Sequence, residues 1–163
     1  MDEVEYRDEI YSAYLGEVGG AVLARVLADR QDFTADQRRK LATFSRLETR
    51  VANELETVLR RLGGTFGSTR QVSAAAVARA DAIAHWAMFV EQLGDRLVPY
   101  ILRFERLAAS AKPQDESALQ LLVEHERALW YFGRDEAEGR VEKSIQHLNR
   151  LLPGECFLDL GQV

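Results

Sequence analysis

The stretch TADQRRKLATFSRLETRVANELETVLRRLGG, Thr34 to Gly64, decides the fold class. Its opening, Thr34-Ala-Asp-Gln37, has the form of a capping box, in which the threonine hydroxyl meets a free backbone N–H and the glutamine reaches back to the cap. Behind it Leu41, Phe44, Leu47, Val51, Leu55, Val58, Leu59 and Leu62 recur at the three- and four-residue steps of one helical face. Gly63-Gly64 follows, where glycine can take the left-handed conformation that ends helices. The spacing therefore predicts a long amphipathic helix from the cap to Leu62.

Working outward, an earlier helix is expected from about Asp8 to Asp29, burying Tyr11, Tyr14, Leu15, Val18, Val22 and Val26. Its interior holds Gly16, Gly19 and Gly20, each costing about 1 kcal/mol relative to alanine. They mark either close approach by another helix or a bend or space for a ligand. After the central helix, Gly63 to Val72 contains three glycines and could extend about 30 Å, enough either to pass along a bundle or to turn at one end. A third helix starts near Ser73 and is expected to bury Val77, Ala80, Ala84 and Met88. Continued to Ser110 it would be about 55 Å long, so a break is expected at Gly94-Asp95 and Pro99. Lys112 to Ser117 reads as a loop and helix start with proline in the first turn. The fourth helix runs to about Glu138, burying Leu119, Leu122, Val123, Leu129, Trp130 and Phe132. A short fifth helix passes through Val141, Ile145 and Leu148 and ends before Pro153-Gly154, leaving a tail that packs through Phe157, Leu158 and Leu160. With no strand alternation and no repeat, the expectation is an all-α, single-domain bundle over residues 1–163. It has four main helices, a broken third helix and a short C-terminal fifth.

Composition limits the function classes. At 163 residues, 47% hydrophobic and 29% charged, the chain is an ordinary globular one that needs no disulfide or metal to hold a core. A formal net charge of -5 gives no general attraction for nucleic acid. The acidic start Met1-Asp2-Glu3-Val4-Glu5 lacks the features of a secretion signal, and no apolar run approaches the roughly 20 residues that span a bilayer. A cytoplasmic location without membrane contact is expected. Cys156 is the single cysteine, which excludes an intrachain disulfide, a CxxC pair and an all-cysteine zinc site; a free thiol is expected. Gly63 to Ser68 lacks the lysine and spacing of a phosphate-binding loop.

The chemistry-bearing residues are four glutamates on or beside the apolar stripes of successive helices. Glu17 lies three residues after Tyr14, Glu48 four after Phe44, Glu91 three after Met88, and Glu126 three after Val123. A carboxylate removed from water needs a partner, because an isolated buried charge would protonate instead. His85 and His125 fall near apolar positions and could add nitrogen ligands. Within Glu124-His125-Glu126, neighbours diverge by 100° and do not all face one point.

On these helix lengths and four glutamates, residues 8 to 138 resemble the ferritin-like, rubrerythrin-like superfamily. That resemblance implies two iron or manganese ions held by inward glutamates. Members with intact sites also carry a histidine three residues after the glutamate on the second and fourth helices. Here those positions are Val51 and Leu129, and no Glu-x-x-His occurs. The resemblance therefore implies a metal site that is altered or lost. Two functions follow: a noncatalytic scaffold or interaction protein, whose partner is a second copy in a homodimer or an unidentified protein, or a nonstandard carboxylate-bridged iron or manganese oxidoreductase. The first is preferred because both histidines are missing. In that case Arg25, Arg50, Arg79, Arg96 and Arg127 are candidates to pair with the glutamates in place of metal.

Overall fold

A computed structural model describes residues 1–64 and 67–152, which are largely helical, with no strand among them. The elements are α1 (Glu3–Ala28), α2 (Ala35–Arg61), α3 (Arg70–Ala82), α4 (Trp86–Glu91), a 3-10 turn (Gly94–Leu97), α5 (Val98–Ala109), α6 (Glu116–Ala137) and α7 (Val141–Asn149). The expected tail contacts of Phe157, Leu158 and Leu160, and Cys156, lie outside the described residues.

The central helix forms as its residues dictate. The Gln37 N–H donates to Thr34 Oγ1 at 3.2 Å, and the Thr34 N–H donates to Gln37 Oε1 at 2.9 Å. Leu41 to Leu59 of the apolar stripe are buried, and the helix ends at Gly63 with φ +71°.

α1 pairs with α2, and Ser45 Oγ donates across that interface to the Ala21 carbonyl at 2.9 Å. The buried face of α1 is Tyr6, Ile10, Ala13, Tyr14, Glu17, Leu23, Ala24 and Leu27, rotated from the expected stripe. Leu15, Val22 and Val26 are half-buried because they share the stripe of Gly19, against which α3 packs. A Cβ on Gly19 would lie 3.2 Å from Val72 Cγ1. The connector after α2 thus delivers the chain to α1.

The third helix breaks twice. The Gly94–Pro99 break is present, with Gly94 at φ +60° and Pro99 in the first turn of α5. An earlier break falls at Ile83, whose φ -81°, ψ 103° leaves helical space. Arg30 holds it open, donating to the carbonyls of Ala80, Ile83 and Ala84 at the end of α3. On α3 the buried residues are Ala76 and Ala80, and Val77 is exposed; the break then resets the helical phase, so Ala84 is exposed and Ile83, Phe89, Val90 and Leu93 are buried.

α6 is the central element, packing against α2, α4, the 3-10 turn, α5 and α7. Its buried arc is correspondingly broad. Trp130, expected in the core, is half-buried at the edge of that arc under the Arg134 guanidinium, 4.9 Å from its ring. Gly133 lets the chain cross closely: a Cβ there would lie 2.6 Å from Leu93 Cβ and 2.8 Å from the Gly94 nitrogen. Gly133→Ala is expected to destabilise the protein by about 1–3 kcal/mol, since backbone on the other side cannot rotate away. Urea unfolding would measure this, and an unchanged midpoint would show that the 3-10 turn shifts without cost. No described helix is long and apolar enough to cross a membrane.

Candidate metal centre

Glu17 on α1, Glu48 on α2 and His125 with Glu126 on α6 come together in the interior, with exposures of 2%, 5%, 0% and 8%. Each is carried there by the apolar stripe of its helix. Both His125 and Glu126 face inward, although they are adjacent, because α6 is surrounded on most of its circumference. Glu124 points outward, where Gln120 donates to it at 2.9 Å.

The imidazole of His125 stands between two carboxylates. Its Nδ1 is 3.2 Å from Glu17 Oε2, and its Nε2 is 3.5 Å from Glu48 Oε1. Neither approach has hydrogen-bond alignment, so both ring nitrogens, Glu17 Oε2 and Glu126 Oε2 are buried without a hydrogen-bond partner. Leaving such groups unpaired costs about 1–3 kcal/mol each, and native interiors contain few. One ligand atom each from Glu17, Glu48 and His125 lies within 4.8 Å of the others, compact enough for a single ion.

The electrostatics agree with that geometry. Burial pushes the Glu17 carboxyl well above its ordinary range, opposed by His125 and reinforced by the charges of Glu48 and Glu126. Burial likewise raises Glu48 to about 8, with the Glu17 hydrogen bond pulling the other way. Glu126 is also raised by burial, and His125 opposes the rise. A divalent ion would supply the missing counter-charge and hold all three deprotonated.

The glycines of α1 divide between the two expected roles. Gly19 permits the approach of α3, whereas Gly20 makes space for the site: a Cβ there would lie 2.6 Å from the Glu48 carboxylate. Gly16 has nothing within 4 Å of that position and opens onto a cavity of about 630 Å³. Glu17, Glu48 and Glu126 also line this cavity.

Two expected ligands stand apart from the group. His85 is exposed and caps α4, its Nδ1 accepting from the Met88 N–H at 3.3 Å. Glu91 is exposed at the end of α4: the Ile83 break undoes its seven-residue step from Ala84, and within α4 the buried residues are Phe89 and Val90, with Met88 only half-buried. The basic group among the glutamates is a histidine: Arg127 pairs instead with Glu105 at 2.6 Å, and Arg79 donates to Gln92 at 3.1 Å. The residues present fit a metal. Two carboxylates, an imidazole and an adjacent carboxylate form a mixed oxygen and nitrogen donor set suited to iron or manganese. Comparison with known proteins gave no family match, no match among curated proteins and no match among solved structures.

Proposed function

We propose that this chain is a metal-binding helical bundle with a reduced ferritin-like centre, which holds one iron or manganese ion through Glu17, Glu48 and His125. The observation that carries the reading is the convergence of Glu17, Glu48 and His125 with Glu17 Oε2 and both His125 nitrogens buried without a hydrogen-bond partner. Ligands on α1, α2 and α6 of an all-helical chain support the ferritin-like relation. The third-helix carboxylate and both Glu-x-x-His histidines are missing, which leaves ligands for one ion where that family uses four glutamates and two histidines for two. An ion held there supplies oxygen- or peroxide-dependent redox chemistry at the cavity. Glu17 and Glu48 provide the charge, His125 fixes the nitrogen donor between them, and Gly20 preserves room for the Glu48 carboxylate. Glu126 lines the cavity beside them, with one carboxyl oxygen buried and unpartnered.

Elemental analysis of the full chain, purified without chelator and reconstituted with iron or manganese, tests this. About one ion per chain is expected. Glu17→Gln with Glu48→Gln should reduce it to background while the helical circular-dichroism spectrum persists. Retained stoichiometry in the double variant would overturn the ligand assignment. Background metal in the reconstituted wild type would overturn metal binding and favour the scaffold reading, with the Glu17–Glu48 hydrogen bond and His125 as an internal polar network.

A further inference from the structure

The cavity beside Glu17, Glu48 and Glu126 has a charge layout that selects a class of occupant. Its volume of about 630 Å³ falls within the roughly 300–1,000 Å³ typical of small-molecule sites. The carboxyl groups form one part of its lining, and Leu23, Phe44, Phe89, Phe104 and Leu129 supply apolar walls. Arg79 and Arg96, both exposed, and the half-buried Arg103 complete it on the solvent side.

These arginines are not equivalent. Arg103 is neutralised by Glu9, with Nε 2.6 Å from the carboxylate. Arg79 donates only to the neutral amide of Gln92, and Arg96 has no ion-pair or hydrogen-bond partner among the described residues. Two guanidinium groups therefore present uncompensated positive charge to one cavity, and their forked donors match a carboxylate. A cationic occupant would be opposed at the arginines, and a neutral one would leave them unused.

We infer that the cavity binds a small organic carboxylate with an apolar body, its acid group held by Arg79 and Arg96 and its body lying against the walls formed by Leu23, Phe44, Phe89, Phe104 and Leu129. As the identification of a substrate class this rests on the metal-centre reading, but the binding preference itself does not require the ion.

Isothermal titration of the full chain with octanoate and octanamide, metal-free and manganese-loaded, tests the inference. Octanoate should bind at least tenfold more tightly than octanamide. Arg79→Gln with Arg96→Gln should weaken octanoate tenfold or more and leave octanamide unchanged; both side chains are exposed, so the fold should survive. Equal affinities for octanoate and octanamide, an unaffected double variant, or no binding by any saturated carboxylate from butanoate to dodecanoate would overturn the inference. Arginine-dependent octanoate binding without manganese uptake would remove the metal reading and leave the carboxylate site standing.

Discussion

Replacing Glu136 by alanine should lower the unfolding free energy by about 3 kcal/mol, although the residue lies outside the proposed metal centre. Its side chain is 3% exposed and meets the Lys40 ammonium, itself 2% exposed, at 2.6 Å. The same oxygen accepts from Ser144, and the other accepts from Trp86 Nε1 at 3.0 Å. One carboxylate thus ties together α2, α4, α6 and α7. Removing one member of a buried pair costs about 3–5 kcal/mol because the other charge is left without compensation. The lower end applies here, since Asp36 remains 3.0 Å from Lys40. Urea unfolding of Glu136→Ala measures the loss. The double variant Lys40→Met with Glu136→Leu should recover most of it, because it removes both charges and fills the space. A single variant as stable as the wild type would show that water or Asp36 compensates Lys40 fully. The loss should also reach the site: Trp86 packs 5.2 Å from Phe89, which is 5.6 Å from Phe44, and both phenylalanines line the cavity.

None of that network is legible along the chain. Lys40 lies on the polar side of a capping turn, and Glu136 near a helix end, 96 residues away. What can be read is periodicity. α2 shows its cap, stripe and terminator within 31 consecutive residues, and Glu17, Glu48 and Glu126 share stripes with core residues that do become buried. The misplacement of Glu91 and His85 traces to one event. Ala82-Ile83-Ala84-His85 contains no glycine or proline, and the break there depends on Arg30 capping α3 from more than 50 residues away and on His85 capping α4. Extending the helical phase across it assigns Glu91 and His85 to an interior they do not reach. His125 was visible as a histidine three residues after Leu122 and four before Leu129. Its meeting with two glutamates from other helices depends on tertiary packing.

The metal-free protein should lose stability as pH rises from about 4.5 to about 8, the reverse of the usual carboxylate trend. Glu48 in the folded chain is raised to about 8 by burial, and Glu17 and Glu126 move in the same direction. Between the unfolded and folded values the folded state binds more protons than the unfolded state, so unfolding free energy falls with pH. Stability from the protonated Glu48 is complete below about 4.5 and is lost as pH passes through about 8. One proton over that window corresponds to roughly 4–5 kcal/mol. Thermal unfolding of chelator-treated protein should therefore show a falling midpoint across this range, and Glu48→Gln should flatten the fall. Saturating manganese should reverse the slope, because the ligands must lose protons to bind an ion and binding strengthens with pH. A level profile in the metal-free protein would show that Glu48 keeps one protonation state throughout, removing the proton-for-metal exchange on which the reversal depends.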